Sequence, residues 1–508
     1  MIRKTFRLML CISFLIIILA ACGKPTEIVP LPLAPTDSQV PVTKTPLETT
    51  ATQVPATKTP PPPSDTPTMP TPTLEPSSTV SSINKLPIIE RVSVASDGTQ
   101  GNFDSYAPSI SADGRYVTFS SQSNLVEGDT NGITDIFVHD RVTGETQRVS
   151  IASDGTQGNG GENYITSSIS ADGRYVAFKS GAGNLVEGDT NGEIDCFVYD
   201  RLTGETTRVS VASNRAEGNS DYVAPAISAD GRYVAFVSYA TNLLEEGTNQ
   251  YENIFVHDRV RSETTLESVS SVGTQGNNSS LAPSISADGR YVAFKSKADN
   301  LVEGDTNGVV DCFVHDRLTG ETTRVSVASD GTQANGDCAF YPTFLIFGPS
   351  ISADGRYVAF SSFATNLVEG FTEYANIWGY TGIYVHDRVT GETTLVSVSS
   401  DGTQANGGSF LHAISSDGRY VAFSSFATNL VEGVTHGYES IYVHNRVTGE
   451  TKFVSISNYV TQGYERFWGS SISADGLYIA FGSSPNNLVE GDTNGVSDIF
   501  VRDLWTGK

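Results

Sequence analysis

The sequence predicts an all-β fold: a seven-bladed β-propeller of four-stranded antiparallel blades, closed by an N-terminal strand that completes the last blade. Three observations predict it. A marker, Ser-x-Asp-Gly-x-Tyr, recurs with its Asp at 113, 172, 230, 288, 354, 417 and 475, at spacings of 59, 58, 58, 66, 63 and 58. Every unit holds four short runs of strand-forming residues. The strand missing from the end of the chain stands ahead of the first unit. Units of about 60 residues suggest propellers and solenoids, whose faces are buried only against neighbouring units.

The chain begins with a segment that is not part of the fold. Arg3, Lys4 and Arg7 precede an apolar run from Leu8 to Leu19, followed by Ala20, Ala21 and Cys22. A basic start, a short apolar core and small residues make 1–21 a secretory signal. The run is shorter than the ~20 apolar residues of a spanning helix. Leu19-Ala20-Ala21-Cys22 resembles the lipobox of bacterial lipoproteins. The resemblance implies cleavage before Cys22, a diacylglycerol on its thiol, and a place in the bacterial cell envelope, anchored to a membrane outside the cytoplasm. The alternative is an ordinary secretory signal followed by a chance Cys.

Residues 22–85 form a linker. Of the 22 prolines in the chain, 15 lie between Pro25 and Pro76, and no aromatic residue occurs from Lys24 to Lys85. Such a segment buries no core and acts as a disordered, semi-extended spacer.

The head spans 86–508. In the fourth unit the strands are Ser284-Ile285-Ser286, Tyr291 to Phe294, Cys312 to His315 and Thr323 to Val327. Val, Ile, Tyr, Phe and Thr favour strands, while Asp288-Gly289 and Thr319-Gly320 supply tight turns. The seventh unit ends after its third strand, Ile499 to Asp503. Arg91 to Gly98 repeats Arg324 to Gly331 residue for residue, so the first strand completes the last blade and hides an edge. The run from Pro283 to Phe294 resembles the repeat of the TolB-like, WD-repeat-like propeller family. The resemblance covers the whole head. It implies a fold and little about activity, since propellers host many functions.

Charge narrows the functions. There are 57 acidic against 32 basic residues, a net charge of −25. No basic surplus is available to neutralise a nucleic-acid backbone, so nucleic acid is not an expected partner.

Part of the acidity recurs between strands two and three. Four units place oxygen side chains at positions 1, 3, 5 and 9 of a loop with Gly at position 6: Glu127, Asp129, Asn131 and Asp135; Glu187, Asp189, Asn191 and Asp195; Glu303, Asp305, Asn307 and Asp311; and Glu490, Asp492, Asn494 and Asp498. The spacing resembles calcium loops of FG-GAP repeats and the first half of an EF-hand loop. It implies a structural Ca²⁺, a hard cation that takes six to eight oxygens. In the other three units the acids at positions 3 and 9 are lost together, as expected of a shared partner. The alternative is a turn whose Asp and Asn bond only the local backbone.

Repeated polar residues read as structural. His139, His257, His315, His386 and His444 hold one strand position in five blades. The Arg residues of Asp-Arg and of Gly-Arg-Tyr are expected to pair with neighbouring carboxylates. Cys196 and Cys312 take a position held elsewhere by Ile, so they read as buried apolar residues without a bridge, and Cys338 as a leftover thiol. Departures from the repeat carry the functional signal. Two insertions and one loop crowd aromatics on the long-loop face of blades five to seven: Phe340, Tyr341, Phe344, Leu345 and Phe347; Phe371, Tyr374, Trp378 and Tyr380; and Tyr464, Phe467 and Trp468. Phe344, Tyr374, Trp378, Tyr380, Phe467 and Trp468, with His412, form the candidate ligand-binding set. Exposed aromatics mark protein or sugar contacts; the alternative is that the loops pack on one another.

The expected function is therefore a monomeric, lipid-anchored binding propeller with a protein or glycan ligand. The alternative is a carbohydrate-active lyase or hydrolase using the same face. The chain has no Gly-x-Ser-x-Gly nucleophile elbow, which favours binding over hydrolysis.

Overall fold

In the computed structural model the described residues are 89–160, 166–220, 222–338, 348–371, 381–434, 438–455, 469–484 and 488–504. They form seven four-stranded antiparallel sheets, each with its strands in spatial order. Blade four is typical, with strands Ser280–Ile285, Tyr291–Ser296, Asp311–Asp316 and Glu321–Arg324. The innermost strands abut one another around the ring, and the last, Ser470–Ile472, returns against the first, Ser105–Ile110. The seventh sheet is completed by Ile89–Arg91, where Ile89 pairs with Arg502 and Arg91 with Phe500. Closure by the N-terminal strand is as the permuted sequence requires.

The marker motif builds the turn between strands one and two. Ser286 Oγ donates to Asp288 Oδ1 at 2.7 Å, and the amide of Arg290 donates to the same carboxylate at 3.0 Å. Gly289 sits at φ +73°, in the region only Gly enters freely. The residue between Ser and Asp ties the blades together. The amide of Ala112 donates to the carbonyl of Ala171, Ala171 to Ala229, Ala229 to Ala287, Ala287 to Ala353, Ala353 to Ser416, Ser416 to Ala474, and Ala474 back to Ala112, all at 2.9–3.1 Å. Hydrogen-bonded backbones lie ~4.8 Å apart, so seven links close a ring about 11 Å across between backbones. Small side chains suit that crowded position. The bonded turns form a ring at the end of the head where strand one meets strand two.

The core lies between blades. Strands two and three contribute stacked pairs such as Phe294 and Phe313, 5.9 Å apart. Each such pair packs with side chains from the preceding blade, as Phe294 and Phe313 do with Ala235, Val237, Ile254 and Val256. All of these are buried, so no blade has a core of its own.

Candidate functional site

The innermost strands do not run straight. In blades one, three, four and six the pairing with strand two skips two residues, a β-bulge. Its first residue has positive φ: Ala107 at 51°, Ala224 at 52°, Ala282 at 52° and Leu411 at 51°. Non-Gly residues rarely occupy this region, and such bulges are frequent beside functional sites. The second residue is Pro108, Pro225 or Pro283 in three blades and His412 in blade six. The bulge was not read from the sequence, though the recurring Ala-Pro before Ser-Ile was its signal.

Blade five opens its insertion at this same place. Cys338 pairs with Ser362, as Ser280 pairs with Ser296 in blade four. Pairing resumes at Ser350 with Ala359. Both described flanks of the insertion therefore belong to the channel wall. Cys338 is disulfide-bonded to Cys312 on strand three of blade four, with Cα atoms 5.8 Å apart. This corrects the reading of Cys312 as unbridged and of Cys338 as a leftover thiol. Each repeat position was judged alone, whereas the start of strand one comes beside strand three of the preceding blade. At the other flank, a Cβ on Gly348 would come within 2.4 Å of the Ala282 carbonyl oxygen. Cys196 is buried and free, and burial pushes its thiol well above the usual range.

His412 is half-buried on the bulge. Its Nε2 donates to the carbonyl of Ala359 at 2.9 Å, while Nδ1 has no hydrogen-bond partner. Burial pushes its pKa down to about 4, so the ring is neutral near pH 7 with a lone pair on Nδ1. The other six candidate ligand residues, Phe344, Tyr374, Trp378, Tyr380, Phe467 and Trp468, lie outside the described residues, as do Cys22 and the leader.

The repeated His residues are structural. Thr146 Oγ1 donates to the Val94 carbonyl at 2.5 Å, so its oxygen accepts from Nδ1 of His139 at 2.8 Å. The same pairing recurs at His257, His315, His386 and His444. Burial pushes His257, His386 and His444 down to about 4. The Arg of Gly-Arg-Tyr forks onto a carboxylate as expected: Arg290 reaches Asp316 through Nε at 2.8 Å and Nη2 at 2.7 Å. The Arg of Asp-Arg instead bonds a glycine carbonyl and stacks on a Tyr of the preceding blade. Arg201 reaches Gly173 O at 2.7 Å and lies 4.3 Å from the Tyr116 ring centre. Arg141 and Arg317 also meet Glu90 and Glu267.

In the acidic loops the structure brings together two of the four expected oxygens and adds an arginine. Arg148 on strand four lies 3.0 Å from Asp129 and 3.4 Å from Asp135. Arg208 lies 3.2 Å from Asp189 and 3.3 Å from Asp195; Arg324 lies 2.9 Å from Asp305 and 3.3 Å from Asp311; Arg91 lies 2.9 Å from Asp492 and 3.5 Å from Asp498. Burial pushes all eight carboxyls up, against the pull of the guanidinium. Glu127, Glu187, Glu303 and Glu490 stand exposed. Asn131 donates through Nδ2 to Asp135 at 3.2 Å; Asn191, Asn307 and Asn494 make the same bond. Among the described residues no group of three or more His, Cys, Asp or Glu is arranged to hold a metal ion.

No family model and no curated protein matches this chain. Solved structures do resemble it. An oligogalacturonate lyase from Vibrio parahaemolyticus is 15% identical, with a TM-score of 0.46, over 82% of this chain and 93% of that one. The β-propeller domain of the Trilobed protease from Pyrococcus furiosus is 13% identical, with a TM-score of 0.46, over 80% and 95%. TolB from Acinetobacter baumannii is 14% identical, with a TM-score of 0.36, over 73% and 76%. At such identities the likeness is one of fold.

Proposed function

We propose that this chain is a non-catalytic binding propeller, held to a bacterial membrane by lipid on Cys22 and exposed outside the cytoplasm. Its ligand, a protein or a glycan, meets the long-loop face of blades five to seven. The observation that carries the reading is the root of the blade-five insertion. That segment carries Phe340, Tyr341, Phe344 and Phe347, and it springs from the channel wall between the disulfide at Cys338 and the tightly packed Gly348. Fixed roots present contact residues at low ordering cost. The disulfide agrees with an oxidising compartment and thus with the secretory leader.

The test is a glycan array together with a pull-down from envelope extracts, using the full chain and a double variant, Trp378→Ala with Trp468→Ala. A ligand captured by the native chain and lost by the variant is the expected result. Unchanged capture removes the aromatic rim. Cleavage of a captured glycan, seen as new reducing ends or unsaturated sugars, replaces the binding reading with the enzymatic one.

A further inference from the structure

The acidic loops were expected to hold calcium, and the donor set does not fit it. A seven-oxygen shell would need the Glu at position 1 turned inward and the Asn offering its oxygen. Instead each Glu is exposed and each Asn presents its NH₂ to the Asp at position 9. Between the two carboxylates stands a guanidinium whose side chain is no more than 10% exposed.

The sequence holds its own control. Blades one, two, four and seven carry Arg148, Arg208, Arg324 and Arg91. At that register the other three blades carry Leu266, Leu395 and Phe453. The arginine is therefore lost wherever the two acids are lost. Blade five places Phe371, Gly382 and Leu395 at the three positions, and a Cβ on Gly382 would come 2.9 Å from Leu395 Cδ1. Blade six places Val434, Ser440 and Phe453, and the Phe453 ring lies 5.4 Å from Tyr442. Buried ionic clusters and well-packed apolar sets are near-equivalent solutions to one site, whereas a cluster missing one member is not. A metal site has no reason to lose a distant arginine together with its ligands.

We propose that the four acidic loops are locks closed by arginine in the place of a cation, and that the one in blade seven fastens the ring. In blades one, two and four the arginine follows its acids by a short stretch of chain. Arg91 comes from the strand that precedes all seven units and reaches Asp492 and Asp498 at the other end of the head. Ser93 Oγ adds a bond to Asp498 Oδ1 at 2.5 Å. The Arg91 lock is thus the only one of the four that joins the two ends of the propeller.

Thermal melts of the full chain in detergent, in EGTA and in excess calcium, test the first half. The native chain should melt at one temperature in both; a higher Tm in calcium overturns the proposal. Arg148→Leu alone should melt several degrees lower. The triple variant Asp129→Val, Asp135→Ser and Arg148→Phe, which installs the blade-six set, should recover most of that loss. A triple variant melting below the single one overturns the exchange. For the ring, limited proteolysis of Arg91→Leu should release the N-terminal strand under conditions where Arg148→Leu stays intact; equal resistance of the two variants overturns the fastening role.

Discussion

Tyr233 of blade three lies flat against Gly289 of blade four, so closely that a Cβ on Gly289 would come within 2.1 Å of its ring. The same contact joins Tyr116 to Gly173, Tyr175 to Gly231, Tyr291 to Gly355, Tyr357 to Gly418, Tyr420 to Gly476 and Tyr478 to Gly114. The Asp-Gly turn therefore serves two ends. It turns the chain within one blade and offers a flat seat to the blade before.

That double role separates two glycine substitutions. Gly144 has φ +76° with nothing within 4 Å of a Cβ, whereas Gly289 has φ +73° and the Tyr233 ring. Gly144→Ala should cost only the left-handed strain, about 1 kcal/mol. Gly289→Ala adds overpacking and should cost about 2–4 kcal/mol in total. Denaturant unfolding of both variants measures the difference, and equal losses would show that the Tyr seat contributes nothing.

The disulfide makes a second, chemical prediction. A head spanning 81–508 contains three cysteines, Cys196, Cys312 and Cys338. Denatured without reductant it should yield one titratable thiol, from Cys196, and after reduction three. Three thiols without reductant would sink the bridge and with it the rigid root of the insertion. Cys338→Ser should lower stability by about 3.5 kcal/mol, the loop-closure value for a separation of 26 residues.

What was legible in the sequence follows from how far apart the interacting residues lie. The blades were legible because each strand turn is local: Ser286, Asp288 and Gly289 make their turn among themselves. Closure was legible because Arg91 to Gly98 repeats Arg324 to Gly331. The acidic loops were seen but their arginine was not, because Arg148 stands on the outer strand, away in sequence from Asp129. Its covariation with Leu266, Leu395 and Phe453 was present in the same chain and would have revealed it. The bridge from Cys312 to Cys338 was missed for a related reason. It crosses from one blade to the next, and a reading confined to equivalent positions compares blades without placing them side by side. Of the candidate ligand set, only His412 falls among the described residues, so that set rests on sequence except at that position; of the other rim aromatics Phe371 is described, and it packs on Tyr384 with ring centres 5.9 Å apart.

The two classes of buried carboxylate pull stability in opposite directions with pH. The forked arginines hold Asp140, Asp316 and Asp387 far below the usual carboxylate range, and Asp200 at about 2. Their folded pKa lies below the unfolded value, so their contribution is present above about pH 4 and is lost as pH falls through the folded value. Asp129 and Asp135, facing Arg148, are raised by burial. Their contribution runs the other way: folding gains as they take up protons, below their raised pKa, and loses as pH rises through it. Asp316→Asn should therefore lower Tm most at about pH 7, and by progressively less as pH falls below about 4. Blade six supplies the precedent, with Arg419 bonded to Asn445 at 3.2 Å. Melts across this range decide the matter, and a deficit independent of pH would assign Asp316 a packing role instead.

His412 allows binding to be separated from folding. It occupies the bulge position held by Pro108, Pro225 and Pro283 in other blades, so the backbone there accepts proline. His412→Pro should leave the propeller intact and raise its stability by about 0.4–1 kcal/mol through the unfolded state, less the lost bond to Ala359. If His412 belongs to the contact surface, the same substitution abolishes capture by the loop face without lowering Tm. A variant that melts well below the native chain would make the bond from Nε2 to Ala359 the reason for this histidine. A variant that keeps both its Tm and its ligand would remove His412 from the contact surface.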